Sequence, residues 1–247
     1  MIVNDLRWET PANTIVCGPS FSGKTSLVDK IIRRKNILIK EGEKKKIILY
    51  YLSDQEIYKR WEDDKLLAFK AKGVPDTDSF IETINFHGKS GAIVIFDDLG
   101  ADIKKNSKFF RELFLVMTHH MKLNVFLILH NIFPEGLREL SLNTHRFVIT
   151  HNPRDALGIA TLGRQCYPGS KNFLTSVYKF IGKTKYGYLV LDFHQETNPV
   201  LRGMLYLITF LNILRFCFFI SYNKLVWRIG KLYYGLPRSR SLHSKSI

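Results

Sequence analysis

Short apolar runs alternate with amphipathic stretches along most of this chain. Asn13–Cys17, Ile47–Leu52, Ala92–Phe96, Leu123–Leu129 and Arg146–Thr150 are brief runs rich in aliphatic and β-branched residues. That is the pattern of strands buried on both faces. Tyr186–Phe193 adds a last strand, with Tyr188, Val190 and Asp192 alternating against Leu189, Leu191 and Phe193. Between the runs the period changes to that of a helix. Thr25–Arg34 sets Leu27, Val28, Ile31 and Ile32 on one face, and Asn106–Met121 repeats Phe109, Phe110, Leu113, Phe114 and Met117 at helical spacing. Asp54–Lys72, Pro134–Leu140, the stretch from Pro153 towards Arg164, and Ser170–Ile181 also predict helices. Ser79–Asn85 has an ambiguous pattern, in which Asp78 or Ser79 could cap a short helix, while Gly73–Asp76 and His87–Gly91 read as breaks. Strands alternating with helices predict an α/β fold with a mostly parallel central sheet flanked by helices. Trp8 is expected to pack on this domain, and His119 and His120 to end a helix at the surface.

The alternation stops near residue 202. Met204–Ile220 is apolar and aromatic-rich, interrupted by Asn212 and Arg215, and a basic stretch follows with Trp227, Tyr233 and Tyr234. The reading divides the chain into a domain at 1–202 and an atypical basic tail at 203–247, helical or disordered. Met204–Ile220 is short for a membrane span, and Arg215 is costly at its centre. Three readings of the tail stand open: an amphipathic surface-binding helix, a DNA-contacting tail with stacking aromatics, and an unselected extension. The abrupt loss of acidic residues after Glu196 favours the last.

Charge narrows the partners. The 247 residues carry a formal net charge of +15, and roughly half of it lies beyond residue 200. Such an excess favours a polyanion, with nucleic acid ahead of an anionic membrane. Cys17, Cys166 and Cys217 are widely spaced and make neither a metal motif nor a disulfide framework. Asp5, Arg7 and Glu9 stand where a signal peptide would be apolar, so the expectation is an intracellular protein that is not secreted.

The chemistry begins after the first strand. Gly18-Pro19-Ser20-Phe21-Ser22-Gly23-Lys24-Thr25 fits the P-loop template at every fixed position, between a strand and a helix. Glycines at both ends let the backbone close into a cradle of inward N–H groups, and the helix that follows, with Ser26 in its first turn, adds its positive end. Lys24 is suited to the β- and γ-phosphates of ATP, and Thr25 to Mg²⁺. Ala92–Phe96 runs into Asp97 and Asp98, the shape of a buried strand delivering carboxylates to the same sheet edge. Asp97 is the candidate magnesium residue, and Asp98 the candidate base for the attacking water. Asn131, after Leu123–Leu129, stands where a polar group would meet the γ-phosphate. Together these predict a RecA-like P-loop NTPase with its site at the C-terminal edge of the strands.

From Thr14 to Arg202 the chain resembles viral genome-packaging ATPases of the FtsK/HerA superfamily, of the type found in Polinton/Maverick elements, adintoviruses and large-DNA-virus relatives. The more specific part of the resemblance lies in His130-Asn131, Leu140–His145, Asn152-Pro153-Arg154-Asp155, Arg164–Pro168 and Asp192–Gln195. The resemblance implies an ATP-hydrolysing ring that moves double-stranded DNA into a viral capsid, in the host nucleus or a cytoplasmic assembly site, with a membrane role not expected. It assigns Lys24, Thr25, Asp97 and Asn131 the roles above and asks for an arginine from the neighbouring subunit, Arg138 or Arg154. The base in that class is usually Glu, and here it is Asp98. A related DNA helicase or recombination motor, and a degenerate copy that binds nucleotide without turnover, are the alternatives.

Overall fold

In the computed structural model the apolar runs lie side by side in one sheet. The structure describes residues 7–133, 138–170, 172–183 and 186–197 (the side chains of Ala101 and Arg138 excepted), and backbone strands within 203–230. Strands β1 (Ala12–Cys17), β2 (Lys46–Tyr51), β3 (Leu67–Lys72), β4 (Ala92–Asp97), β5 (Asn124–Leu129), β6 (Arg146–Thr150) and β7 (Tyr188–Asp192) take the order β7-β6-β1-β5-β4-β2-β3. The six from β6 to β3 are parallel, and β7 runs antiparallel to β6.

Successive strand residues face opposite sides of a sheet, so each apolar run serves two cores. On one face Val16, Leu49, Ile95 and Phe126 meet Leu27, Val28 and Ile31 of the helix Lys24–Arg33, with Tyr58 and Trp61 of the helix Glu56–Asp63. On the other, Ile15, Tyr50, Phe96 and Leu127 meet Phe80 and Ile84 of the helix Thr77–His87, Phe110, and Leu174 and Ile181 of the helix Phe173–Ile181. Trp8 packs on the first face, its ring stacked on Phe126 with centroids 6.3 Å apart.

Within residues 7–197 three expectations change. Asp54–Lys72 is not one helix: it stops at Asp63, Lys65 turns with φ 55, and Leu67–Lys72 pairs with β2 as an edge strand. Leu, Ala and Lys favour helix locally, but Phe69 and Ala71 reach the core only in the extended form, and tertiary packing overrides propensity. The helix Thr77–His87 is capped by Asp76, whose Oδ1 accepts the Ser79 N–H at 2.9 Å. The predicted helix Asn106–Met121 has a π-helical turn at Leu113–Met117. Thr118 Oγ1 donates to Leu113 O and to Asn13 Oδ1, and Asn13 Nδ2 donates to Phe114 O at 2.9 Å, so a buried amide of β1 draws on the opened ladder.

Beyond β7 the backbone continues as β8 (Gly203–Thr209), β9 (Asn212–Ser221) and β10 (Lys224–Gly230), an antiparallel meander added to the sheet edge. The helical or disordered reading of this stretch is thereby replaced by strands; residues 231–247 lie outside the described part. Phe, Ile, Leu and Val dominate 204–229, and β7 offers an open edge on which such residues pair. Among the described residues no helix is long and apolar enough to cross a membrane.

Candidate phosphate-binding site

The P-loop joins the end of β1 to the helix Lys24–Arg33, and its backbone has the shape that the two glycines permit. Gly23 has φ 88, and Gly18, φ 150, has no room for a side chain: a Cβ there would stand 1.8 Å from Thr150 Oγ1. That hydroxyl, at the end of β6, donates to Ser22 Oγ at 2.8 Å and so ties the loop to the neighbouring strand. The Gly18 N–H donates to Leu129 O of β5 at 3.3 Å. Pro19 and Ser22 are half-buried, whereas Ser20, Ser26 and Phe21, with φ 61, are exposed.

Lys24 is buried and folds back over the cradle, its Nζ donating to Gly18 O and Pro19 O at 2.9 Å each. Burial lowers its pKa, and the nearby Asp97 carboxylate opposes that. The acidic strand end reaches the loop directly. Thr25 Oγ1 donates to Asp97 Oδ2 at 2.9 Å, and Tyr58 OH donates to the same oxygen at 2.7 Å. Burial raises the Asp97 pKa while these two donors pull it down. Asp98 is in the left-handed region, φ 60, and its half-exposed carboxylate lies 3.2 Å from His130 Nε2.

The structure thus gathers Gly18–Ser26, Asp97 and Asp98 at one edge of the sheet. Asn131 follows β5 there and is exposed. Arg154 is exposed in the loop after β6, its N–H donating to Asn152 Oδ1 at 3.1 Å. Among the described residues neither bonds to the P-loop, and the side chain of Arg138 lies outside them. His119 and His120 are exposed at a helix end, and the described residues hold no metal-binding group of His, Cys, Asp or Glu.

The sequence by itself gives Tyr58, Thr150 and His130 no role in the site. Tyr58 sits 39 residues before Asp97 in a helix that reads simply as amphipathic, and Thr150 sits 128 residues beyond Ser22 at the end of a strand. Neither position carries a local signal. His130 adjoins Asn131, and only the fold brings it to Asp98.

A P-loop between strand and helix, an acidic strand end beside it, and one strand inserted between the two define the RecA-like P-loop NTPase fold within a mostly parallel sheet. No family model and no curated protein matches the chain. Among solved structures it is similar to the genome packaging NTPase B204 from Sulfolobus turreted icosahedral virus 2 in complex with ATP-gammaS, with TM-score 0.48 and 14% identity over 76% of this chain and 95% of that one. It is similar to B204, the DNA-packaging ATPase from Sulfolobus turreted icosahedral virus, with TM-score 0.48 and 12% identity over 76% and 95% of the two chains. The KaiC-like protein PH0186 from Pyrococcus horikoshii OT3 gives TM-score 0.43 and 10% identity over 89% and 90%. At these scores and identities the likenesses bear on neither site nor activity.

Proposed function

We propose that this chain is a P-loop ATPase that couples ATP hydrolysis to the movement of double-stranded viral DNA into a capsid. The observation that carries the catalytic half is the 2.9 Å hydrogen bond from Thr25 Oγ1 to Asp97 Oδ2, which brings together two motifs 72 residues apart. The DNA half rests on the formal net charge of +15 and on the resemblance of the motif series to packaging ATPases.

The residues fit both cofactors. Gly18 and Gly23 leave the loop backbone open to phosphate oxygens, and a hydroxyl and a carboxylate side by side are hard oxygen donors of the kind Mg²⁺ prefers. Thr25 and, through water, Asp97 would hold the cation. Magnesium held there would offset the charge that develops in phosphoryl transfer. Lys24 exchanges its two carbonyl partners for phosphate oxygens, a charge-assisted pairing stronger than the one it leaves. Tyr58 holds the Asp97 carboxylate in place. Asp98 accepts the proton of the attacking water, Asn131 faces the γ-phosphate, and Arg154 or Arg138 of a neighbouring copy in a ring neutralises the transferring group. DNA is held through its phosphates, so binding is independent of sequence and weakens with salt.

ATP hydrolysis by the assembled protein, with and without duplex DNA, tests the proposal. Duplex should stimulate turnover at low salt and lose that effect as salt rises, and Lys24→Ala should abolish turnover. An assembled ring indifferent to DNA overturns the translocase reading. Preference for single strands or forks transfers it to a helicase, and binding without hydrolysis to a degenerate copy.

A further inference from the structure

The triphosphate has two ends, and the sheet assigns them to opposite flanks of β1. Asp97 and Asp98 come from β4 and Asn131 from the end of β5, all on one side of the P-loop strand. The γ-phosphate end of a nucleotide read as above faces that side. The nucleoside end then points across β1 towards β6 and β7. Because β7 is antiparallel to β6, its first residue, Tyr188, is level with Thr150, the residue that holds Ser22. Two positions earlier, Tyr186 overhangs the cradle. Its ring Cδ1 is 3.6 Å from where a Cβ on Gly23 would lie, and the side chain is 53% exposed.

The backbone supports a role for this ring. Tyr186 has φ 58, a left-handed conformation that bulky residues rarely adopt and that collects at ligand sites. Its half-exposed ring stands beside the phosphate cradle, at the flank where the base must go. We propose that Tyr186 is the platform on which the purine base of the bound nucleotide stacks. The inference rests on the nucleotide reading of the P-loop and adds the base subsite to it.

Calorimetric titration of the full chain with ATP and with inorganic tripolyphosphate, which has no base, tests it. Tyr186→Ala should weaken ATP about five- to hundredfold, the range of base–aromatic stacking, and leave tripolyphosphate unchanged. Tyr186→Phe should keep both affinities. Tyr186→Ala without effect on ATP, or with equal losses for both ligands, overturns the base platform while leaving the phosphate site standing. So does a selective loss of ATP affinity in Phe21→Ala with Tyr186→Ala unaffected. Wild-type protein that binds neither ligand overturns the nucleotide reading, and the platform with it.

Discussion

At the scale of single residues, Asp98 is where the chain departs from the class it resembles, and its backbone supplies a reason. At φ 60 a residue is in the left-handed region, which Asp and Asn tolerate better than longer side chains because they hydrogen-bond locally. A glutamate here would gain reach and lose conformational ease. The carboxylate is also engaged from the side by His130, 3.2 Å away, which limits where it can swing. Asp98→Asn keeps the backbone preference and removes the base proposed above, so steady-state kinetics should show turnover reduced about 10²- to 10⁴-fold with nucleotide affinity intact. Asp98→Glu should not raise turnover above wild type, and its thermal midpoint should fall.

At the scale of elements, β6 and β7 are joined by more than their ladder. Arg146, fully buried, donates from Nε to Asp192 Oδ2 at 2.8 Å and from Nη2 to Glu9 O at 2.7 Å, with its guanidinium 5.1 Å from the centre of the Trp8 ring. Removing one member of a buried pair strands the other charge. Asp192→Ala should therefore cost about 3–5 kcal/mol in denaturant titration. Arg146 and Asp192 show what a sequence displays and what it hides. β1, β4, β5 and β6 were legible to within a residue because each is apolar on both faces, and the P-loop because its template fixes positions. β3 was not, because Leu67–Lys72 is an edge strand of helix-favouring residues whose pairing comes from β2. Gly203–Gly230 was not, because its strands depend on an edge created elsewhere in the chain. In the site, Lys24, Thr25, Asp97 and Asp98 could be read in line, whereas Tyr58 and Thr150 act on motifs that only folding brings near.

At the scale of the whole molecule, the edge of the sheet opposite the P-loop carries a second ionisable cluster. His119, His145 and His194 follow one another, the first pair edge to face and the second tilted, with ring centroids 5.5 Å and 5.1 Å apart, and Arg146 and Asp192 stand alongside. His145 Nδ1 accepts the Asn13 N–H at 3.0 Å, and His194 Nε2 lies 3.1 Å from Pro11 O, so both neutral rings bridge the start of β1. Burial, then the neighbouring His194, His119 and Arg146, lowers the His145 pKa from 6.5 to about 4. The His194 pKa is lowered as well, first by burial. The unfolded chain therefore binds more protons than the folded one between these values, and stability falls as pH drops from 6.5 towards 4. Thermal midpoints across that window should decline, and His145→Asn should flatten the decline. The hydroxyl of Thr150 carries a different implication. It grips Ser22 on one side, while on the other its strand leads to Asn152, whose N–H is held by Tyr178 OH, and then to Arg154. On the function proposed above, a nucleotide that reshapes the cradle would pull on this connection, and the loop that carries Arg154 should differ between loaded and empty protein.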